Sequence, residues 1–137
     1  MIVLDTHVLV WALSGDPRLG PMARSTIDEA TSTNGALVSA ITPWEIAMLV
    51  EKGRLALGRD TRSWIKVALA NPGLHLTPIE PEIAIDSVEL PGAFHADPAD
   101  RFIVATARSR NAVLLTADRA ILNYALAGHL KAADASL

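Results

Sequence analysis

The chain has 137 residues, a formal net charge of -3 and no cysteine. A chain of this length fits one domain with a single core, and we expect residues 1–137 to form one. The missing cysteines exclude disulfides and thiolate metal ligands, and the slight negative charge excludes the basic surface typical of duplex-DNA binders.

The first apolar stretch, MIVLDTHVLVWAL, is interrupted by Asp5 and His7, and no basic segment precedes it. Signal peptides begin with a basic segment, and membrane-spanning helices need about 20 apolar residues in a row. The stretch therefore predicts neither, and we expect a cytoplasmic protein.

Short apolar runs alternate with helical patterns along the chain, as expected for strands buried in a parallel sheet. The predicted strands cover residues 1–4, 36–40, 74–79 and 112–116, with a possible short fifth strand at 130–134. The predicted helices cover residues 6–13, 21–32, 42–53, 59–71, 81–90, 98 to 110 and 117–128. This alternation predicts an α/β fold in three layers, with a central parallel sheet of four to five strands covered by helices on both faces.

Several predicted helices begin with residues that can cap them. Thr6 can cap the first helix, and the segment TPWE reads as a capping box with Thr42 as N-cap and Glu45 three residues later. Asp97 precedes Pro98 and is the natural N-cap of the helix that follows.

Acidic residues fall where the predicted strands end. Asp5 follows the first strand, Glu45 lies in the helix after the second, and Asp118 comes two residues after the run AVLLT. Because ligands of parallel sheets bind outside the carboxyl ends of the strands, we expect these three acids at one edge. Asp100 ends the apolar stripe of its helix and joins them if that helix starts at the same edge.

Most of these acids also have a structural interpretation. Glu45 could complete its capping box, Asp100 could complement the helix dipole, and Asp118 could cap the helix after it. Capping is the favoured interpretation of Asp97. Asp5 is harder to explain in this way, because a carboxylate directly after an apolar strand is seldom left without a partner.

Converging carboxylates without basic partners repel one another unless a divalent cation lies among them. Oxygen ligands favour Mg²⁺ or Mn²⁺, whereas the four histidines are too scattered to predict a zinc site. Of these histidines, His95 is the one for which we expect a functional role. The others are typical of surface residues or of residues that support a site without binding the metal.

Four segments, IVLDTHVLVW, SAITPWEI, HADPADRFIVATA and VLLTAD, together resemble the PIN-domain ribonucleases, specifically the VapC-type toxins of bacterial toxin–antitoxin pairs. The resemblance covers nearly the whole chain, with the motifs in the family's order. It implies a PIN-like fold in which the catalytic, metal-holding acids are Asp5, Glu45, Asp100 and Asp118. The polar residues that it places beside them are Thr6, Ser39, His95, Asp97 and Thr116.

The same resemblance implies an endoribonuclease that uses Mg²⁺, which Mn²⁺ can replace, to cleave single-stranded or looped RNA. It also implies a toxin that pairs with a cognate antitoxin protein and forms a homodimer. The candidate phosphate contacts are Arg101, Arg119 and Arg18, each of which could instead pair with a neighbouring acid.

The chain has more large apolar residues than a small core strictly needs. They are Trp11, Trp44, Trp64, Leu49 and Val50. Core packing is the favoured interpretation of these residues taken alone. The family resemblance instead favours a surface that binds a partner protein.

The sequence leaves two other functions to be considered. A PIN-like module that binds RNA or metal without cleaving would lack one of the acids, and none is missing. A phosphatase or receiver-type domain with an Asp nucleophile would have a Lys after a late strand and more glycine near Asp5, and neither is present.

Overall fold

The computed structural model describes all residues, 1–137, and its centre is a sheet of five parallel strands. The strands are β1 (Ile2–Leu4), β2 (Ala36–Ser39), β3 (Leu74–Thr77), β4 (Val113–Thr116) and β5 (Ala132–Asp134). Their order across the sheet is β3-β2-β1-β4-β5, and every neighbouring pair is parallel. From β1 the chain adds β2 and β3 on one side of the sheet and later adds β4 and β5 on the other side. Such a reversal of the strand order creates a crevice at the carboxyl ends of the strands.

Seven helices surround the sheet. They are α1 (Thr6–Ser14), α2 (Pro21–Ser32), α3 (Ile41–Glu51), α4 (Thr61–Leu69), α5 (Pro81–Val88), α6 (Pro98–Ser109) and α7 (Arg119–Leu126). The longest have 12 residues, whereas about 20 apolar residues are needed to span a bilayer. None of the helices can therefore cross a membrane.

Two apolar clusters lie on opposite faces of the sheet. Ile2 and Leu4 point to one face and pack with residues of α1, α2 and α3. Val3 points to the other face and packs with residues of α5, α6 and α7. Because successive strand residues alternate between faces, a strand covered on both sides must be apolar throughout, as β1 is. The predicted three-layer α/β/α architecture is confirmed, including its possible fifth strand.

Two predicted helix caps are wrong. Asp5, not Thr6, is the N-cap of α1, and its side chain accepts a hydrogen bond from the Thr6 amide. The capping box in TPWE does not form, because α3 begins at Ile41 and Ala40 precedes it without a side-chain cap. Ser39 Oγ accepts the Ile41 amide hydrogen at 3.2 Å, and this local bond starts the helix before Thr42 can cap it.

The large apolar residues divide between core and surface. Trp11, Trp64 and Val50 are partly buried against the cluster of α1, α2 and α3, whereas Trp44 on α3 is half exposed. Most of this group is therefore accounted for by core packing, and Trp44 is the member left for a partner.

Candidate active site

Acidic side chains gather at the carboxyl edge of the sheet. Asp5 follows β1, Asp118 caps α7 just after β4, and Glu45 lies in the second turn of α3. Helix α6 packs against β1, β2 and α3, and its first turn carries Asp100 to the same edge, with Asp97 as its N-cap. We call Asp5, Glu45, Asp97, Asp100 and Asp118 the acidic cluster.

Asp5 is buried and held at both oxygens. Its Oδ1 accepts the Thr6 amide hydrogen at 2.8 Å, and its Oδ2 accepts the Thr116 hydroxyl hydrogen at 2.7 Å. Burial raises the pKa of Asp5 although these bonds and the neighbouring His7 act in the opposite direction. A carboxyl group in this position is fixed in orientation, and its charged form is costly without a cation.

Thr116 connects Asp5 to Asp118. The Thr116 hydroxyl oxygen also accepts the Asp118 amide hydrogen at 3.0 Å, and Asp118 Oδ1 accepts the Ile121 amide hydrogen at 3.1 Å. Asp118 therefore caps α7, as its structural interpretation predicted, while its charge still acts on Asp5 and Asp100.

The tightest part of the acidic cluster consists of Glu45, Asp97 and Asp100. Each of them offers one oxygen, and these oxygens lie within 4.8 Å of one another. Glu45 Oε1 is buried without a hydrogen-bond partner, whereas Asp97 Oδ1 accepts the Asp100 amide hydrogen at 3.0 Å. A buried, unpaired carboxylate oxygen costs free energy, and native proteins keep such a group only where something else compensates it.

Burial and mutual repulsion act together on Asp100. Its pKa is raised to about 8, first by burial and then by the charges of the other four members of the cluster. Burial likewise raises the pKa of Glu45. No Lys or Arg forms a salt bridge with any member of the cluster. An all-oxygen donor set with excess negative charge fits a hard divalent cation such as Mg²⁺ or Mn²⁺.

Comparison with known proteins places the chain in a family. A sequence profile of the PIN domain matches residues 2–126. The chain belongs to the PIN domain family. It is 33% identical over 123 residues to Ribonuclease VapC22 of Mycobacterium tuberculosis, covering 90% of this chain and 91% of that protein. The resemblance found in the sequence is thereby confirmed.

Solved structures agree with the PIN fold. The crystal structure of VapBC2 from Rickettsia felis bound to a DNA fragment from its promoter superposes with a TM-score of 0.70 at 19% identity, covering 98% of both chains. DNA-bound VapBC from Salmonella typhimurium gives a TM-score of 0.66 at 18% identity, covering 97% of this chain and 96% of that chain. At these identities the comparison establishes the fold.

Within this PIN domain, buried side chains that carry hydroxyl groups lie close to the acidic cluster. Thr6 Oγ1 and Thr42 Oγ1 are 3.1 Å apart and buried, which joins α1 to α3 next to Asp5 and Glu45. Ser39 is buried at the end of β2 and bonds the backbone of α3. The sequence indicated Thr42 only as a cap, and no pattern in it revealed the contact with Thr6, 36 residues away.

Arg101 is engaged with the backbone, which favours a structural role for it, and its contact with a substrate phosphate stays a prediction. Its guanidinium donates hydrogen bonds to the backbone oxygens of Ser87, Val88, Phe94 and His95 at 2.7–3.2 Å. These bonds use four of its five N–H donors and tie the segment between α5 and α6 to the first turn of α6. Arg101 therefore has a structural role in this PIN domain.

The other two arginines differ from Arg101. Arg18 pairs with Asp16 at 2.8 Å and lies over the Trp11 ring, which is the acid pairing left open in the sequence. Arg119 is 77% exposed and lies 3.5 Å from Asp134. Because an exposed ion pair of this kind is weak, Arg119 can turn toward a phosphate, and its substrate contact stays a prediction.

Replacing Glu45 by Gln separates its two interpretations. Because Glu45 caps nothing and its charge is buried, we expect Glu45→Gln to keep or raise the melting temperature in chelator. We also expect it to weaken Mn²⁺ binding, measured by titration calorimetry. The exposed Glu51→Gln on the same helix is the control and should change neither. A lower melting temperature with unchanged Mn²⁺ binding would restore the structural interpretation.

Asp97 has a cap role that can be tested apart from its charge. Asp97→Ala removes the acceptor of the Asp100 amide and should cost about 0.5–2 kcal/mol of unfolding free energy. Asp97→Asn keeps an acceptor and should retain most of that stability. Urea denaturation in chelator measures the stability of both variants. An equal loss of stability in the two would show that the charge of Asp97, and not its hydrogen bond to the Asp100 amide, stabilises the helix.

Proposed function

We propose that this protein is a Mg²⁺-dependent endoribonuclease, in which Mn²⁺ can substitute, and that it acts in the cytoplasm as the toxin of a toxin–antitoxin pair. The observation that carries the proposal is the buried, unpaired Glu45 Oε1 beside Asp97 and Asp100, in a cluster that forms no salt bridge with a Lys or Arg. The named activity of its relative, Ribonuclease VapC22, supports the reaction class.

The residues proposed to hold the metal are Asp5, Glu45, Asp100 and Asp118, and the geometry adds Asp97 as a further oxygen donor. A divalent ion bound there would lower the pKa of a water, align it with the phosphodiester and neutralise the leaving oxygen. The chain itself fixes the donors. Thr116 orients Asp5 and Asp118 through one hydroxyl group, so these two acids keep their relative positions.

The proposed substrate is single-stranded or looped RNA. Only an unstacked strand can bring a phosphodiester against carboxylates that lie this deep at the edge of a sheet. Arg119 is the exposed cation that follows Asp118 directly, which makes it the proposed contact for a neighbouring phosphate. Its replacement should weaken RNA binding without changing metal affinity.

The proposed protein partners are a cognate antitoxin and a second copy of this chain. The structures with this fold include VapBC assemblies, which supports an antitoxin partner here. Trp44 on α3 is half exposed, and the same helix forms a groove with α4 whose walls include Ala47 and Ile65 as well as the charged Glu51, Arg62 and Lys66. A half-exposed Trp on a helix that also forms a groove of apolar and charged residues supports this face as the surface that a partner helix covers.

Cleavage of RNA by antitoxin-free protein tests this function. With Mg²⁺ or Mn²⁺ we expect cleavage of a looped RNA, and we expect none in chelator or with Asp5→Asn. Asn at position 5 can still accept the Thr6 amide hydrogen and cap α1, so this variant should fold. Full activity in chelator or in folded Asp5→Asn would overturn the metal mechanism, and RNA binding without cleavage would favour a non-catalytic module.

A further inference from the structure

His95 lies beside Asp100 with each ring nitrogen in a different environment. We infer that His95 is a positioning residue: its Nε2–H donates to Asp100 Oδ2 and so fixes the orientation of that carboxylate, and the ring itself does not bind metal. The inference deepens the proposed function and rests on it for the role of Asp100.

The Asp97 amide determines which nitrogen of His95 carries the proton. The Asp97 N–H donates to His95 Nδ1 at 3.3 Å, so Nδ1 is the acceptor. A neutral imidazole has one donor and one acceptor nitrogen, and the proton is therefore on Nε2. The same bond occupies the Nδ1 lone pair and removes it as a metal ligand.

The Nε2 side of the ring faces the acidic cluster. Nε2 is shielded from solvent and has no hydrogen bond of full geometry, while Asp100 Oδ2 lies 3.3 Å away. A buried N–H without an acceptor is costly, and a carboxylate is the strongest acceptor available to it. Such contacts are often poorly aligned before a site is loaded and tighten afterwards. Asp100 would then present its other oxygen, Oδ1, to the metal.

The backbone and the ring of His95 are both held in place. Arg101 donates to the His95 carbonyl oxygen at 3.1 Å and to that of Phe94 at 3.2 Å. The Phe94 ring packs against the imidazole with centroids 4.3 Å apart. This gives Arg101 a purpose at the site, because it fixes the segment that presents His95 to Asp100.

A second histidine shows the same pattern with the nitrogens exchanged. His7 Nε2 accepts the Ala117 amide hydrogen at 2.9 Å, so its proton is on Nδ1, which lies 3.6 Å from Asp5 Oδ2. A backbone amide thus sets the tautomer of each ring, and the other nitrogen of each ring lies near one acid of the cluster. His7 and His95 are therefore expected to be opposite tautomers.

Two substitutions at position 95 separate positioning from turn formation. The bond from Asp97 N to His95 Nδ1 spans two residues, as in an Asx turn, so Asn can reproduce it but is too short to reach Asp100. Gln is long enough to donate to Asp100 and lacks an atom placed like Nδ1. Each variant keeps one of the two contacts of His95 and loses the other.

Mn²⁺ affinity, measured by electron paramagnetic resonance of free Mn²⁺, is the first readout. We expect His95→Gln to stay close to wild type and His95→Asn to lose roughly 10–100-fold, as is typical when a residue that orients a metal ligand is removed. RNA cleavage should follow the same order. The reverse order, or equal loss in both variants, would overturn the inference and leave His95 a turn residue.

The tautomers of the metal-free wild-type protein are the second readout. Long-range ¹⁵N–¹H spectra of ¹⁵N-histidine-labelled protein, assigned by the loss of signals in His95→Gln and His7→Gln, should show the proton of His95 on Nε2 and that of His7 on Nδ1. A proton on His95 Nδ1 would contradict the inference. This measurement needs neither metal nor RNA, so failure of the proposed function, seen as no cleavage by wild type, is distinguishable from failure of the inference.

Discussion

Replacing Asp100 by Asn is expected to abolish cleavage of RNA and yet leave the metal-free protein at least as stable as wild type. Asp100 is mostly buried among four other acids, and its pKa is raised to about 8, so folding at neutral pH without metal must either bury its charge or take up a proton, and both cost free energy. Asn removes the charge and keeps the backbone amide that Asp97 caps. The rate of RNA cleavage should fall by well over the roughly 10–100-fold decrease that is typical when a residue that only orients a metal ligand is removed.

Thermal melts with chelator and with Mn²⁺ check the stability half of this prediction. A ligand that binds only the folded state raises stability by mass action, so Asp100→Asn should shrink the rise that Mn²⁺ produces. Glu82→Gln is the control, since Glu82 lies in the first turn of α5 away from the acidic cluster. If Asp100→Asn loses stability with and without metal and keeps the Mn²⁺ response, Asp100 serves only the helix dipole.

The stability of the metal-free protein is expected to fall as the pH rises from about 5 to about 9. The folded pKa of Asp100 is about 8 against an ordinary value of 3.8, and burial also raises the pKa values of Asp5 and Glu45. The folded state therefore binds more protons than the unfolded chain between these pKa values. The stabilisation is fully present below the unfolded pKa and is lost as the pH passes through the folded one.

Urea denaturation in chelator across this pH range measures the effect. Asp100→Asn should flatten the dependence of stability on pH, because it removes the carboxyl group whose pKa is raised to about 8. Saturating Mn²⁺ should oppose the decline in wild type, since metal binding requires deprotonated ligands and strengthens with pH. A wild-type stability that stays level or rises with pH in chelator would contradict the electrostatics described for the cluster.

The sequence predicted the layered fold because burial on both faces leaves a clear signature. A run such as that of β1 can be wholly apolar only when helices cover both sides, and the alternation with helical patterns then makes the sheet parallel. The same topology predicted that Asp5 and Asp118 would share an edge, and one Thr116 hydroxyl now links them. These features depend on local patterns and on one general rule of parallel sheets.

Features that depend on contacts between distant residues could not be predicted. The bond from Ser39 to the Ile41 amide starts α3 early and leaves Thr42 facing Thr6, which the capping pattern in TPWE did not reveal. Arg101 bonds carbonyl groups up to 14 residues away, in a segment without any recognisable motif. Asp97 was predicted as a cap beside the acids, and the folded arrangement shows that its oxygen lies within 4.8 Å of those of Glu45 and Asp100.

Anomalous diffraction from crystals of this protein soaked in Mn²⁺ shows whether the acidic cluster binds metal, because it locates the ion independently of activity. We expect a manganese peak within coordination distance of Asp100 and of at least one further member of the acidic cluster, with neither ring nitrogen of His95 as a ligand. A fully soaked crystal with no peak at the cluster, or with its manganese bound only elsewhere, would contradict this expectation.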